Sequence, residues 1–263
     1  MLEILLPINF LGMILLPIFA WIYFTKKFSL SWKLLLAGGL TFIASQIIHA
    51  PLVIALTPTF QAWGLVPFAL TLGLLAGLFE ETARYILYKF ILKKTNTWNE
   101  GVYVGLGHGG TEAIIFGILG VLTFVNMLVY RNIDLSTIPS IPPEQLELAR
   151  QQVDAFWSTP PHLALLGMVE RAFAICLHVA LSVMVLYGLV KKQHIWFWLA
   201  VLWHAVIDAG AVYLVQQIDP LVLEGIIGVG AAISIVIVLW LKPKFPMVDN
   251  AEADEQANET GAG

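Results

Sequence analysis

The chain has 263 residues, of which 59% are hydrophobic and 12% charged, with a mean hydropathy of +0.82. Soluble domains carry about 25% charged residues, so this composition excludes a water-soluble globule and indicates a polytopic membrane protein. The formal charge of −4 comes from an acidic end, residues 247–263, with Asp249, Glu252, Asp254, Glu255 and Glu259 and no Lys or Arg, which is expected to be a disordered cytoplasmic tail. The rest is near neutral and has no basic field for nucleic acid.

Seven segments can cross a hydrocarbon core of about 30 Å, which needs ~20 residues at 1.5 Å each. They run near Ile4 to Phe24, Lys33 to Leu56, Pro67 to Leu92, Gly101 to Tyr130, Leu163 to Val190, Ile195 to Gln216 and Pro220 to Leu241. The first lacks a basic start and a small-residue cleavage site, and reads as a retained helix rather than a signal peptide. The expected fold is therefore all-α: a membrane bundle of about seven transmembrane helices over residues 1–246. Lys26, Lys27, Lys33, Lys89, Lys93, Lys94, Lys191, Lys192, Lys242 and Lys244 all follow odd-numbered spans. Because cytoplasmic loops carry the Lys/Arg excess, the N-terminus is expected outside and the C-terminus in the cytoplasm.

The long loop 131–162 is then extracytoplasmic. Its Leu146, Ala149, Val153 and Phe156 repeat at helical spacing, which predicts an amphipathic helix that caps the bundle or gates it. Gly73 and Gly77 form a small-xxx-small pair, and Gly101, Gly105, Gly107, Gly109 and Gly110 crowd one helix start. Such glycines bring helices close together or unwind the backbone beside a site. The lone Cys176 reads as a structural thiol, and His49 as a hydrogen-bonded core residue.

The informative residues are ionisable groups inside the spans, each costing roughly 2.5–3.5 kcal/mol near the bilayer centre. They are Glu80, Glu81 and Arg84; His108 and Glu112; Glu170, Arg171 and His178; and His204 with Asp208. Glu80 and Arg84, His108 and Glu112, and His204 and Asp208 repeat a spacing of four, which puts each pair on one helix face. At ~1.5 Å per residue from the cytoplasmic ends, all but Glu170 and Arg171 fall at roughly 10–20 Å, in one layer of the cytoplasmic half. Glu170 and Arg171 fall nearer the outer half and read as a structural pair or an entrance. Helices about 67–92, 101–130, 163–190 and 195–216 would build the site.

Carboxylates with imidazoles suit peptide hydrolysis without a Ser or Cys nucleophile. A glutamate takes a proton from water while histidines position that water and stabilise the oxyanion. No cofactor is needed for that chemistry. The alternative is a metal hydrolase, with a divalent ion such as zinc on His108, Glu112, His178 and His204. From another class, the same groups could relay protons in a transporter or sensor, although no internal repeat supports a transporter fold.

The motifs EETAR (80–84), GHGGTEA (107–113), ER…H (170–178) and HAVID (204–208) resemble the YhfC family of intramembrane proteases. That family is similar to the CPBP proteases, which process CAAX proteins and bacteriocins, and to PrsW. The resemblance spans nearly the whole chain. It implies a multi-pass protein of a bacterial plasma membrane acting on membrane peptides or proteins, with Glu80, Glu81, Arg84, His108, Glu112, His178, His204 and Asp208 as catalytic residues. Three departures bear on their roles. The chain has EExxR where CPBP proteins have EExxxR, Glu112 where they have histidine, and Asp208 where they often have asparagine. An ionised Asp208 cannot donate to an oxyanion, so it is expected to orient His204. Which of Glu80 and Glu81 faces inward is left open by the spacing.

Overall fold

A computed structural model describes residues 1–139 and 141–246 of the chain; the expected acidic tail lies outside the described residues. It contains eight α-helices: α1 (Leu2–Phe28), α2 (Trp32–Ala62), α3 (Leu65–Ile86), α4 (Trp98–Tyr130), α5 (Leu146–Trp157), α6 (Leu166–Val190), α7 (Ile195–Leu214) and α8 (Pro220–Leu241). All but α5 are long and apolar enough to cross a membrane, and no strand occurs among the described residues. The protein is an all-helical membrane bundle with seven candidate spans.

Local chemistry sets where the helices begin. Thr97 and Glu100 form a reciprocal capping box at the start of α4, which satisfies two N–H groups that a helix start leaves unpaired. Asp219 accepts from the Leu221 N–H at 2.8 Å, and Pro220 occupies the first turn of α8, where its missing N–H costs nothing. In α3 the helix widens into a π-turn over Leu87–Ile91, just after the EETAR motif. The turn lies between Arg84 and the end of the span, and it includes Tyr88, whose hydroxyl is 2.6 Å from Ser182 Oγ of α6.

Helix α6 is the axis of the bundle, buried on all sides from Leu177 to Gly188. Glycines let α4 lie between α6 and α2. A Cβ on Gly105 would sit 2.6 Å from Val179 Cα, and one on Gly107 would sit 2.1 Å from the Leu35 carbonyl oxygen. The α4 glycine cluster therefore packs and does not unwind. Gly73 and Gly77 do the same for α3 against α7, with Ala205 and Val201 carbonyls opposite them.

All ten lysines fall at one end of the bundle, where Trp98 donates to the Val238 carbonyl and Lys242 sits over its ring. At the other end Glu3 pairs with Arg131 at 2.9 Å. There α5 caps the bundle: Val153 is buried, and the Trp157 indole donates to the Met127 carbonyl at 3.1 Å. Pro143 opens a short 3₁₀ turn ahead of α5. In the same loop the Ser136 backbone N–H beside Asp134 holds that carboxyl below its usual range. Cys176 is half-buried rather than enclosed.

Candidate active site

The expected residues from α3, α4, α6 and α7 meet in one layer, and α2 joins them. Glu81 and Arg84 are both fully buried. Arg84 grips both carboxylate oxygens of Glu81 in a short ion pair, so the arginine takes the neighbour three residues back, not Glu80 at four. Glu81 Oε1 also receives a 2.9 Å hydrogen bond from His204 Nδ1. A carboxylate acceptor there requires a proton on Nδ1, and in the neutral imidazole Nε2 then carries the lone pair. His204 Nε2 lies 3.9 Å from Glu80 Oε2 and 3.5 Å from Asp208 Oδ2. Glu81 therefore holds His204 through Nδ1, while Asp208, expected to orient that ring, stands at the opposite ring nitrogen.

Glu80 faces inward. Its Oε1 accepts from Gln46 Nε2 at 2.9 Å, and its Oε2 lies 3.1 Å from His108 Nε2. His178 lies between the other imidazoles, with ring centroids 4.8 Å from His108 and 5.3 Å from His204. His178 Nε2 is 2.6 Å from Glu112 Oε2, yet that oxygen has no hydrogen-bond partner of acceptable geometry. Glu112 Oε1 accepts from Arg171 at 2.6 Å, and Arg171 also pairs closely with Glu170. Glu170 and Arg171 are therefore tied to the site through Glu112, and are not a separate pair.

A cavity of about 90 Å³ opens on this layer between α6, α7 and α8. Glu80, Glu112, His178, His204 and Asp208 line it, whereas Glu81, Arg84 and His108 stand behind the wall. Beyond the histidines it follows Glu170, Arg171 and Phe173 of α6, Ala211 of α7 and Ile227 of α8, all toward the lysine-free end. On the lysine side Tyr103, Leu181, Leu186 and Ser182 are at most 1% exposed and close the bundle below the histidines.

Glu80, His178 and His204 each offer one ligand atom, and these atoms all lie within 4.8 Å of one another. Two imidazoles and one carboxylate are the donor set of catalytic zinc sites that leave a coordination position open. Glu81 on the far nitrogen of His204 is the outer partner such ligands have. The residues fit a divalent ion. The compact set keeps His178 and His204 of the expected ligands and adds Glu80, while His108 and Glu112 flank it. Two contacts must change on loading. Ligation through His178 Nε2 requires its proton on Nδ1, which faces Arg84 Nη2 at 3.3 Å, and requires Nε2 to leave Glu112 Oε2, 2.6 Å away.

Two polar residues escaped the sequence reading. Gln46 stands one helical turn from His49, a spacing that could have marked it. Glu224 of α8 is 9% exposed with an unpartnered Oε2, and its signal was a single carboxyl five residues into an apolar span.

The model of the family described as YhfC intramembrane metalloprotease matches residues 12–228. The chain belongs to the YhfC family. It is 30% identical over 243 residues, covering 86% of each chain, to a Bacillus subtilis (strain 168) protein described as uncharacterized membrane protein YhfC. No solved structure matches. The matched range of this YhfC family member includes every residue of the layer and Gln46. The CPBP and PrsW likeness stays a resemblance of motifs.

Proposed function

We propose that the protein is an intramembrane metalloprotease that hydrolyses peptide bonds of membrane-associated substrates, using a divalent ion such as zinc held by Glu80, His178 and His204. The observation that carries this reading is the buried convergence of those three donor groups on the cavity. The charge balance agrees with it. Glu80, Glu112, Glu170 and Asp208 line the cavity with one arginine, Arg171, and an apolar interior disfavours uncompensated carboxylates. The family's description as a metalloprotease points the same way.

When bound, the ion supplies Lewis acidity and an acidified water. The residues of the chain do the rest. Glu112 Oε2, buried beside His178 Nε2 but without a hydrogen bond of acceptable geometry, takes the proton from the attacking water and returns it to the departing amide nitrogen. Arg171 on Oε1 holds that carboxylate ionised and in place. Glu81 keeps the His204 proton on Nδ1, and Arg84 holds Glu81. Asp208 faces the cavity beside His204 Nε2 and positions the substrate's amide N–H. Residues 1–246 form the catalytic bundle, and loop 131–162 caps one end.

The metal-free reading, with Glu80 as general base beside His108, rests on the 3.1 Å contact between them. Cleavage of a membrane-peptide library by purified protein, with and without chelator, separates the two. Chelation should abolish cleavage and zinc should restore it. Glu112→Gln should keep the metal and lose about 10²–10⁴-fold in rate, while His204→Ala should lose both. Full activity in chelator would return the mechanism to Glu80, and cleavage unchanged by every substitution would remove the site.

A further inference from the structure

Helix α2 reaches the site through two residues that do not line the cavity. Gln46 Nε2 donates to Glu80 Oε1 at 2.9 Å. The amide orientation this fixes leaves Gln46 Oε1 as an acceptor, and His49 Nδ1 lies 3.2 Å from it. His49 therefore carries its proton on Nδ1, and the bonds run in one direction, from imidazole to amide to carboxylate. The His49 ring also stacks on Phe79, with centroids 5.4 Å apart and planes 18° apart. One turn of α2 thus holds two consecutive residues of α3, Phe79 and Glu80.

The consequence lies in which oxygen remains. With Oε1 engaged by Gln46, Oε2 is the atom directed at His108, 3.1 Å away, and at His204, 3.9 Å away. We propose that Gln46 and His49 are positioning residues for Glu80: they hold Oε1, fix the carboxylate plane and present Oε2 to the divalent ion. This inference rests on the metal reading given above. Outer partners of metal ligands usually change affinity by about 10–100-fold, and that range is expected for Gln46→Leu. His49→Phe keeps the stack on Phe79 and removes the N–H, so a smaller loss in the same direction is expected. His49→Asn places an amide N–H near the position of Nδ1 and should recover affinity relative to His49→Phe.

The test is zinc affinity, measured by competition with a chromophoric chelator on the full-length protein in lipid nanodiscs. The thermal midpoint of the metal-free protein is measured alongside. Weakened zinc binding in Gln46→Leu and His49→Phe, recovery in His49→Asn and unchanged metal-free midpoints support the assignment. Wild-type affinity in Gln46→Leu overturns it and leaves the metalloprotease reading standing. A lowered metal-free midpoint with no recovery in His49→Asn overturns it too, since α2 then only packs against α3. Absence of zinc binding by the wild type overturns both readings together.

Discussion

At the scale of single residues the site separates two adjacent glutamates by partner. Glu81 is fully enclosed by Arg84 and His204, and Glu80 borders the cavity. An unpaired charge left in such surroundings is costly: removing one member of a buried ion pair costs about 3–5 kcal/mol, far more than replacing both. Arg84→Met should therefore lower the thermal midpoint in detergent sharply. Arg84→Met combined with Glu81→Gln should recover much of the loss, and strict additivity of the two would mean that the pair is not coupled. The motif EETAR announced that charges sit in a span, but not which glutamate the arginine takes. Residues three and four apart are both neighbours on a helix, and the choice is made by His204 of α7, 123 positions further along the chain.

At the scale of elements, α4 is the wedge that brings the layer together. Its glycines remove side chains where the Leu35 carbonyl and the Val179 backbone press in, and His108 follows Gly107 directly. A methyl group at 107 must displace backbone, not a pliable side chain. Gly107→Ala should cost about 1–3 kcal/mol, the usual range for overpacking, and should weaken zinc binding because His108 and its hold on Glu80 shift with α4. A change in stability with unaltered zinc affinity would separate the packing of α4 from the site. The seven spans were legible because twenty apolar residues have few other stable arrangements in a bilayer. The helix α5 was legible from its spacing. The π-turn of α3 and the engagement of Gln46 were not, since each depends on a helix distant in sequence, and Gln46 alone in an apolar span looks like any tolerated polar side chain.

At the scale of the whole molecule, the lysines and the cavity point to opposite ends. The histidine layer lies roughly 14–18 Å from the lysine end, counting ~1.5 Å per residue along α4, α6 and α7. From there the cavity runs away from the lysines, along Glu170, Ala211 and Ile227. If the Lys/Arg excess marks the cytoplasmic face, water and substrate enter from the outer side. This is testable in a Cys176→Ala background with a thiol reagent that cannot cross membranes. Ser136→Cys, in the exposed loop before α5, should label in intact cells. Gln193→Cys, at the exposed lysine end, should label only after permeabilisation. Ala211→Cys, half-buried on the cavity wall, should react in intact cells with a small reagent and resist a bulky one. Labelling of Gln193→Cys but not Ser136→Cys in intact cells would invert the orientation. Labelling of Ala211→Cys only from the lysine side would mean that the core beneath the histidines opens, and that substrate reaches Glu112 from the cytoplasm.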